Sequence, residues 1–424
     1  MYVSIRNLPL GRRSSVRTDP RARRAAPRVV VLLGLTSLLT DVSSEMLTAV
    51  LPVFLVLQLG LSPAQFGLVD GLYRGVSVVS RLGAGVVSDR LGRPKLVASA
   101  GYALSAVTRP LLLVASTAVG VAGLISVDRV GKGIRTSPRD AMIAAASHPE
   151  DLGWNFGVHR ALDTIGAMIG PLMAFGILLL LPGDYDAVFV VSTAFAFLGL
   201  AVLVLLVPAR NPVESAAVPL VAAPPRLTGA DLRALLQLRP FVRRVGLAGL
   251  LTVFTVSDAF VFLALLDRDE DLARVFPLLA VGLALAYTVF ALPVGRLADR
   301  WGRMRVYLAG HVALLAVYAV VVGPLGTVST VVLALLLLGL YYAATDGVLA
   351  AAVSSTLPEV SRASGLSLAA TVVAFAGFVS SLGFGILSGR LGANPAYLLM
   401  GGGLALALGV AARAVWRTST SVAG

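Results

Sequence analysis

The chain has 424 residues, of which 57% are hydrophobic and 13% charged. So few charges could not furnish a surface for water, which excludes an ordinary soluble protein and points to a bilayer. The formal net charge of +13 sits in short breaks between apolar runs, so it reports topology and contact with anionic lipid headgroups, and no nucleic-acid partner is expected.

A membrane-spanning helix needs about 20 predominantly apolar residues, and runs of that kind can be counted to twelve. They fall near residues 29–57, 64–88, 95–116, 118–145, 155–181, 186–208, 242–266, 274–297, 304–323, 328–352, 364–388 and 394–416. Helices are expected because each satisfies its own backbone groups inside lipid. The expected division is an Arg-rich tail over 1–28, a six-helix bundle over 29–208, a linker over 209–241, a second six-helix bundle over 242–417 and a short tail over 418–424. Arginines crowd the first tail, the linker and two short loops, whereas Asp267, Asp269, Glu270 and Asp271 share a loop on the other side. The positive-inside rule then predicts both termini in the cytoplasm. The first apolar run is too long for a cleaved leader and is interrupted by Asp41 and Glu45.

Helix one carries LTDVSSEMLTAVLP. Asp41 and Glu45 are four apart and share one face, with Asp41 roughly 18 Å from the helix start and so near mid-membrane. Carboxylates at that depth are costly unless they pair, take up a proton or line water, which makes both candidates for proton coupling or for a structural ion pair. In helix two, Asp70 and Arg74 are spaced to pair along one face, while Arg81 is near enough to the inner end to snorkel. A loop follows, GVVSDRLGRPK, over Gly85–Lys95, and the same pattern returns as GRLADRWGRMR over Gly295–Arg305. Asp89, Arg90, Gly92 and Arg93 in the first copy answer to Asp299, Arg300, Gly302 and Arg303 in the second, which implies an internal duplication. Physically, each copy reads as a tight turn in which glycine permits a sharp bend and an acid at a helix end pairs with arginine.

Arg109 in helix three has no evident partner in the sequence. Helix four holds SVDRVGKGIRTSPRDAMIAA, in which Asp128, Lys132, Arg135 and Arg139 line one face at spacings of four, three and four. A charged stripe cannot face lipid, so it must meet the bundle interior, a cavity or the acids of helix one. Arg129 and Asp140 lie beside it, Gly131 and Gly133 allow close packing, and Pro138 is placed to kink the helix. Helix five brings His159, Arg160 and Asp163 together, followed by Gly166, Gly170, Pro171 and Gly176. The second half has fewer charges, with Asp258 and Asp346 as its buried acid candidates.

The duplicated loop resembles the signature of the major facilitator superfamily, found there between helices two and three and again between helices eight and nine. The resemblance runs from about Val29 to Trp416. It implies an all-helical membrane fold of twelve spans in two pseudo-symmetric six-helix bundles, with Gly85, Asp89, Arg90, Gly92, Arg93, Gly295, Asp299, Arg300, Gly302 and Arg303 in inside-gate loops. The helix-four signature of that family, RxxxGxGxGxxxP, is broken here by Ile125 at the initial Arg and Arg129 at the first Gly, so Arg129 or Lys132 stands in for the usual basic residue. Helix five is similar to the antiporter signature GxxxxxxxxGxxxGPxxGxG at Gly157, Gly166, Gly170, Pro171 and Gly176, departing at Ala174. Within the family that pattern goes with exporters, and it implies a helix able to slide and bend.

No enzyme is expected. The chain has no cysteine and no phosphate-binding Walker loop, and His148, His159 and His311 are far apart. Neither a cofactor nor a metal site is expected. The expected function is secondary active transport by alternating access in a bacterial inner membrane, as a monomeric proton-coupled exporter of a small organic or amphipathic solute. Asp41, Glu45 and Asp163 would carry protons, and Asp128, Arg129, Lys132, Arg135, Arg139, Asp140, Arg160 and His159 would form an intramembrane charge network or contact substrate. The alternatives are a symporter or uniporter importing a polar anion or metal complex, and a non-transporting sensor or assembly factor.

Overall fold

The computed structural model describes residues 26–91, 93–148, 150–208, 229–269, 271–358 and 361–420, without side chains at 79, 81–91, 229–232, 363 and 417–420. These residues are helical almost throughout and contain no strand. The first half holds α1 (Arg28–Val53), α2 (Pro63–Leu91), α3 (Pro94–Leu112), α4 (Ala118–Ala145), α5 (Leu152–Leu180) and α6 (Tyr185–Ala201). A short helix, α7 (Gly229–Gln237), precedes the second half of α8 (Arg239–Val253), α9 (Asp258–Leu266), α10 (Leu272–Trp301), α11 (Arg303–Val322), α12 (Thr327–Thr345), α13 (Val348–Ser354), α14 (Arg362–Leu391) and α15 (Ala393–Thr420). Nine segments among the described residues are long and apolar enough to cross a membrane. Of the expected spans, α2, α3 and α4 stand outside that set, and they carry much of the buried charge described below.

Local chemistry sets the helix limits. Pro52 cannot donate a backbone hydrogen bond, and α1 runs on from it into a wider π-helical turn, Phe54–Gln58. Pro94 opens α3 where a missing N–H costs nothing, and Thr117 caps α4 by accepting from the Gly120 N–H at 3.1 Å. Between α10 and α11 the chain turns on Gly302 at φ +96°, the glycine of the second loop copy, in a conformation that a side chain would strain.

Two expected single spans are broken. The run over 242–266 forms α8 and α9, and the non-helical residues between them would leave backbone groups unmet in lipid. Tyr318 answers this by donating to the Phe254 carbonyl at 2.9 Å and accepting from the Val256 N–H at 2.7 Å. The run over 328–352 is split into α12 and α13 at Asp346 and Gly347, the latter with φ +76°. Periodicity of apolar residues does not register such breaks, because both sides of each are equally oily.

Packing repeats between the halves. α1 lies on α5 and α6, α2 on α4, and α3 on α4 and α6; likewise α8 lies on α14 and α15, α10 on α12, and α11 on α12 and α15. The halves meet through α2 against α14 and α5 against α10, which are equivalent pairs under the same duplication. We call the end of the bundle holding the repeated loops the motif end and the opposite one the far end. At the far end of the α2 to α14 contact, Phe66 of α2, Phe260 of α9 and Phe384 of α14 stack edge to face at centroid distances of 4.9 and 4.7 Å.

Glycine in α5 is needed at two positions. A Cβ on Gly170 would meet the Val42 carbonyl at 2.8 Å and the Met46 nitrogen at 2.9 Å, and one on Gly166 would meet Leu38 Cα at 2.9 Å. Gly157 and Gly176 face open space. Gly170→Val is therefore expected to force α1 and α5 apart and cost about 1–3 kcal/mol, read as a lower unfolding midpoint in detergent. Gly157→Ala and Gly176→Ala should leave that midpoint unchanged.

Candidate functional site

The charged residues of α1 to α5 assemble into one network with two parts. The deeper part joins α3 and α4. Arg109 reaches Asp128 at 3.0 Å and Ser44 of α1 at 3.1 Å, so the cation without an evident partner is answered by the first acid of the helix-four stripe. Arg129 holds the other oxygen of Asp128, with its Nε at 2.9 Å, and lies over the Tyr73 ring at 4.1 Å. All three charged side chains are buried. Burial of charge on this scale requires close helices, and Gly101 and Gly131 supply the approach: a Cβ on Gly131 would fall 2.7 Å from the Gly101 carbonyl.

The shallower part lies between α1, α4 and α5. Asp41 is 3.7 Å from Arg135, which stacks over Tyr102 at 4.5 Å. Asp41 also comes within hydrogen-bonding reach of Asp163 and has Lys132 close by. Asp163 accepts from the Ser37 hydroxyl at 2.8 Å, and Arg139 donates to the same hydroxyl at 3.1 Å while holding Asp140 at 3.0 Å. Arg139 and Arg160 lie 4.0 and 3.5 Å from Asp163. Two acids close together and surrounded by four cations form a cluster in which a proton on either acid weakens its hold on the neighbouring cations.

Other residues singled out in the sequence sit apart from these pairs. Glu45 forms no ion pair among the described residues, and its Cβ packs by Gly170. His159 is buried beside the cluster, and its Nε2 has no hydrogen-bond partner. His311 is a packing residue whose Nδ1 is 2.9 Å from the Tyr307 carbonyl. No group of three His, Asp or Glu side chains able to hold a metal ion occurs among the described residues.

In the second half, Asp258 is half-buried and Asp346 is exposed. Asp346 ends α12 at the helix break, where the chain leaves the packed interior, and its side chain is exposed. A charge of the other half acts on it, that of Arg160 of α5, whose side chain is 81% exposed while Asp163 beside it is 19% exposed.

A second group, spread over three helices, joins the halves at the far end. Arg74 of α2 pairs with Asp258 of α9 and, at 3.4 Å, with Asp70 on its own helix, and Ser381 of α14 donates to Asp70. The spacing of four foretold the Arg74 to Asp70 pair. Nothing local foretold Asp258 or Ser381, since 184 and 311 residues separate the partners; the only sign was an unmatched acid in a helix of the opposite half. Arg74→Gln should loosen this closure. Because the chain has no native cysteine, a Ser381→Cys reporter can be labelled with an impermeant maleimide from the far side, and the label is expected to react several times faster when Arg74→Gln is added.

Of the first repeated loop, Gly85 belongs to the backbone of α2 and Arg93 is exposed and precedes α3; the side chains of Asp89 and Arg90, and Gly92, lie outside the described residues. In the second loop Arg303 pairs with Asp299 at 3.3 Å and donates to the Ala351 carbonyl of α13 at 3.0 Å. That loop thus fastens α10 and α11 to α13, while Arg300 is exposed and Gly295 faces open space.

Comparison with known proteins follows the same outline. A family model described as Major Facilitator Superfamily matches residues 33–269 and 273–423. An uncharacterized MFS-type transporter of Methanocaldococcus jannaschii is 31% identical over 375 residues, covering 86% of this chain and 89% of its own. An uncharacterized protein of Mycobacterium tuberculosis is 34% identical over 165 residues, 39% of this chain and 40% of that one. Among solved structures, the nucleoside transporter NupG superposes with a TM-score of 0.75 at 17% identity, covering 91% of this chain and 98% of the other. A bacterial homolog of the human lysosomal transporter Spinster, in an inward-facing and unoccupied conformation, gives a TM-score of 0.68 at 14% identity over 91% of this chain and 96% of the other. At such identities the two structures speak for the fold alone.

Proposed function

Because the chain belongs to the Major Facilitator Superfamily, and so is a multi-pass membrane transporter of the secondary kind and not an enzyme, we propose that it is a proton-coupled exporter of a small organic or amphipathic solute, working by alternating access. The observation that carries this reading is the contact of Asp41 with Asp163 inside the cation cluster of α4 and α5. A proton arriving on Asp41 removes the charge that holds Arg135, and its departure restores that hold, so proton occupancy biases how α1 lies against α4 and α5. Asp163 keeps Ser37, Arg139 and Arg160 in either state and serves as the fixed member of the pair, with Glu45 one turn further along α1.

The rocking element is the pair of halves. Their contacts at the far end, the Phe66, Phe260 and Phe384 stack and the Arg74 group, are what must part for that side to open. At the other end the repeated loops would act as the inside gate, and Gly166, Gly170 and Pro171 give α5 the close seat and the bend on which it slides. The basic loops set the orientation, with both termini in the cytoplasm of a bacterial inner membrane.

A symporter or uniporter taking a polar anion is the second reading. Arg129 and Arg135 are committed to Asp128 and Asp41; of the cations first considered for an anion this leaves Lys132, and Arg160, paired with Asp163 but with its side chain 81% exposed, is the other within reach of a solute. Purified protein in liposomes with an internal pH dye, challenged with drugs, sugars, organic anions and metal chelates under a pH gradient, separates the readings. Solute and proton moving in opposite directions support the exporter. Movement in the same direction, with loss on Arg160→Gln, supports the second reading.

A further inference from the structure

A cavity of about 490 Å³ opens at the motif end of the second half, where α8, α13 and α15 converge on the loop between α10 and α11. Among the described residues five arginines line it, Arg243, Arg244, Arg300, Arg303 and Arg305, against one carboxylate, Asp299. Two of these hold the walls. Arg244 donates to the Ala352 carbonyl and to Ser355 Oγ, and Arg303 donates to the Ala351 carbonyl and to Asp299. The charges of Arg243 and Arg303 both act on Arg244, and neither Arg243 nor Arg300 forms an ion pair among the described residues. Like charges gathered around an open space repel one another, and they are stable together when an anion occupies that space.

The shape and level of the cavity say which anion. Guanidinium forks match phosphate oxygens in pairs. Trp301, 65% exposed at the rim, is the residue type that marks the headgroup level of a bilayer. Leu247 and Val415 complete the wall with apolar surface, as suits a phosphate attached to a glycerol and acyl chain. We propose that this cavity binds a phosphate-bearing anion, supplied by the headgroup of an anionic phospholipid. Bound there, the phosphate would tie α8 and the loop between α10 and α11 to α13 and rigidify the second half at its inner end. The proposal rests on the membrane placement given above, but its test needs no transport and is unaffected if the direction or coupling proposed there fails.

The experiment compares full-length wild type with an R243Q/R300Q double variant, which leaves the wall-holding Arg244 and Arg303 in place. An R274Q/R413Q variant serves as the charge-matched control, its sites exposed and outside the cavity. In detergent, the probes are phosphatidylglycerol, phosphatidylcholine and inorganic phosphate, and the readouts are the unfolding midpoint and lipid retention by native mass spectrometry. Phosphatidylglycerol is expected to raise the midpoint of wild type and of the control, with an apparent affinity about tenfold weaker in R243Q/R300Q and falling with added salt. A shift from inorganic phosphate as large as from the lipid, and equally dependent on Arg243 and Arg300, would keep the site and assign it a soluble phosphate. Equal response of wild type and R243Q/R300Q, or equal stabilisation by phosphatidylcholine, would overturn it.

Discussion

Asp41→Asn is expected to abolish solute-dependent proton flux in liposomes while the protein still inserts and folds. The amide keeps the size of the side chain and a dipole toward Arg135, whose guanidinium retains the Tyr102 ring beneath it, so the fold loses one partner of a group that has another. What the amide cannot do is exchange a proton. A loss of at least 100-fold in coupled flux, with an unfolding midpoint within a few degrees of wild type, is the outcome predicted. Asp163→Asn is expected to differ: it also removes the acceptor of the Ser37 hydroxyl and the partner of Arg139 and Arg160, so both flux and stability should fall. Flux through Asp41→Asn equal to that of wild type would remove Asp41 from the coupling and leave the pair a structural bridge.

The largest stability effect is expected at Asp128. This carboxylate is the shared counterion of Arg109 and Arg129, and all three are buried. Asp128→Asn leaves two guanidiniums without it, and breaking a buried pair in this way costs about 3–5 kcal/mol. Arg109→Met should be much milder. The group carries one cation more than anions, Arg109 Nε and Nη1 have no hydrogen-bond partner, and removing Arg109 leaves Asp128 and Arg129 as a neutral pair. Chemical unfolding in mixed micelles tests the asymmetry, and equal losses for the two variants would show that Arg109 is needed as a partner rather than being an excess charge.

Much of this molecule is legible before folding is considered. The apolar runs and the short basic loops follow from the requirement that every backbone group in lipid be satisfied within its own segment, a constraint that acts locally and leaves its mark residue by residue. The duplicated loop gives the symmetry, and the spacing of Asp128, Lys132, Arg135 and Arg139 gives a common face because helical period is a local property. The positions of the two α5 glycines that seat α1 were legible as a pattern, although the sequence did not separate Gly166 and Gly170, which make the contact, from Gly157 and Gly176, which do not.

Partner choice was legible only within a helix, as for Arg74 and Asp70, and as one of several options for the helix-four stripe and the acids of helix one. Arg109 found Asp128 on the next helix, Arg135 found Asp41, and Arg74 found an acid of the opposite half, each pairing decided by where rigid helices cross. The breaks in the seventh and tenth spans were hidden as well, since the groups that make the first tolerable belong to Tyr318, far along the chain. Asp346, read as buried from its oily surroundings, is exposed because the break places it at a helix end. Local physics thus determined the medium, the helices, the repeat and the faces; tertiary structure alone decided which charges neutralise one another, because the energy of a buried charge depends on its nearest partner in space, and no periodicity along the chain encodes that distance.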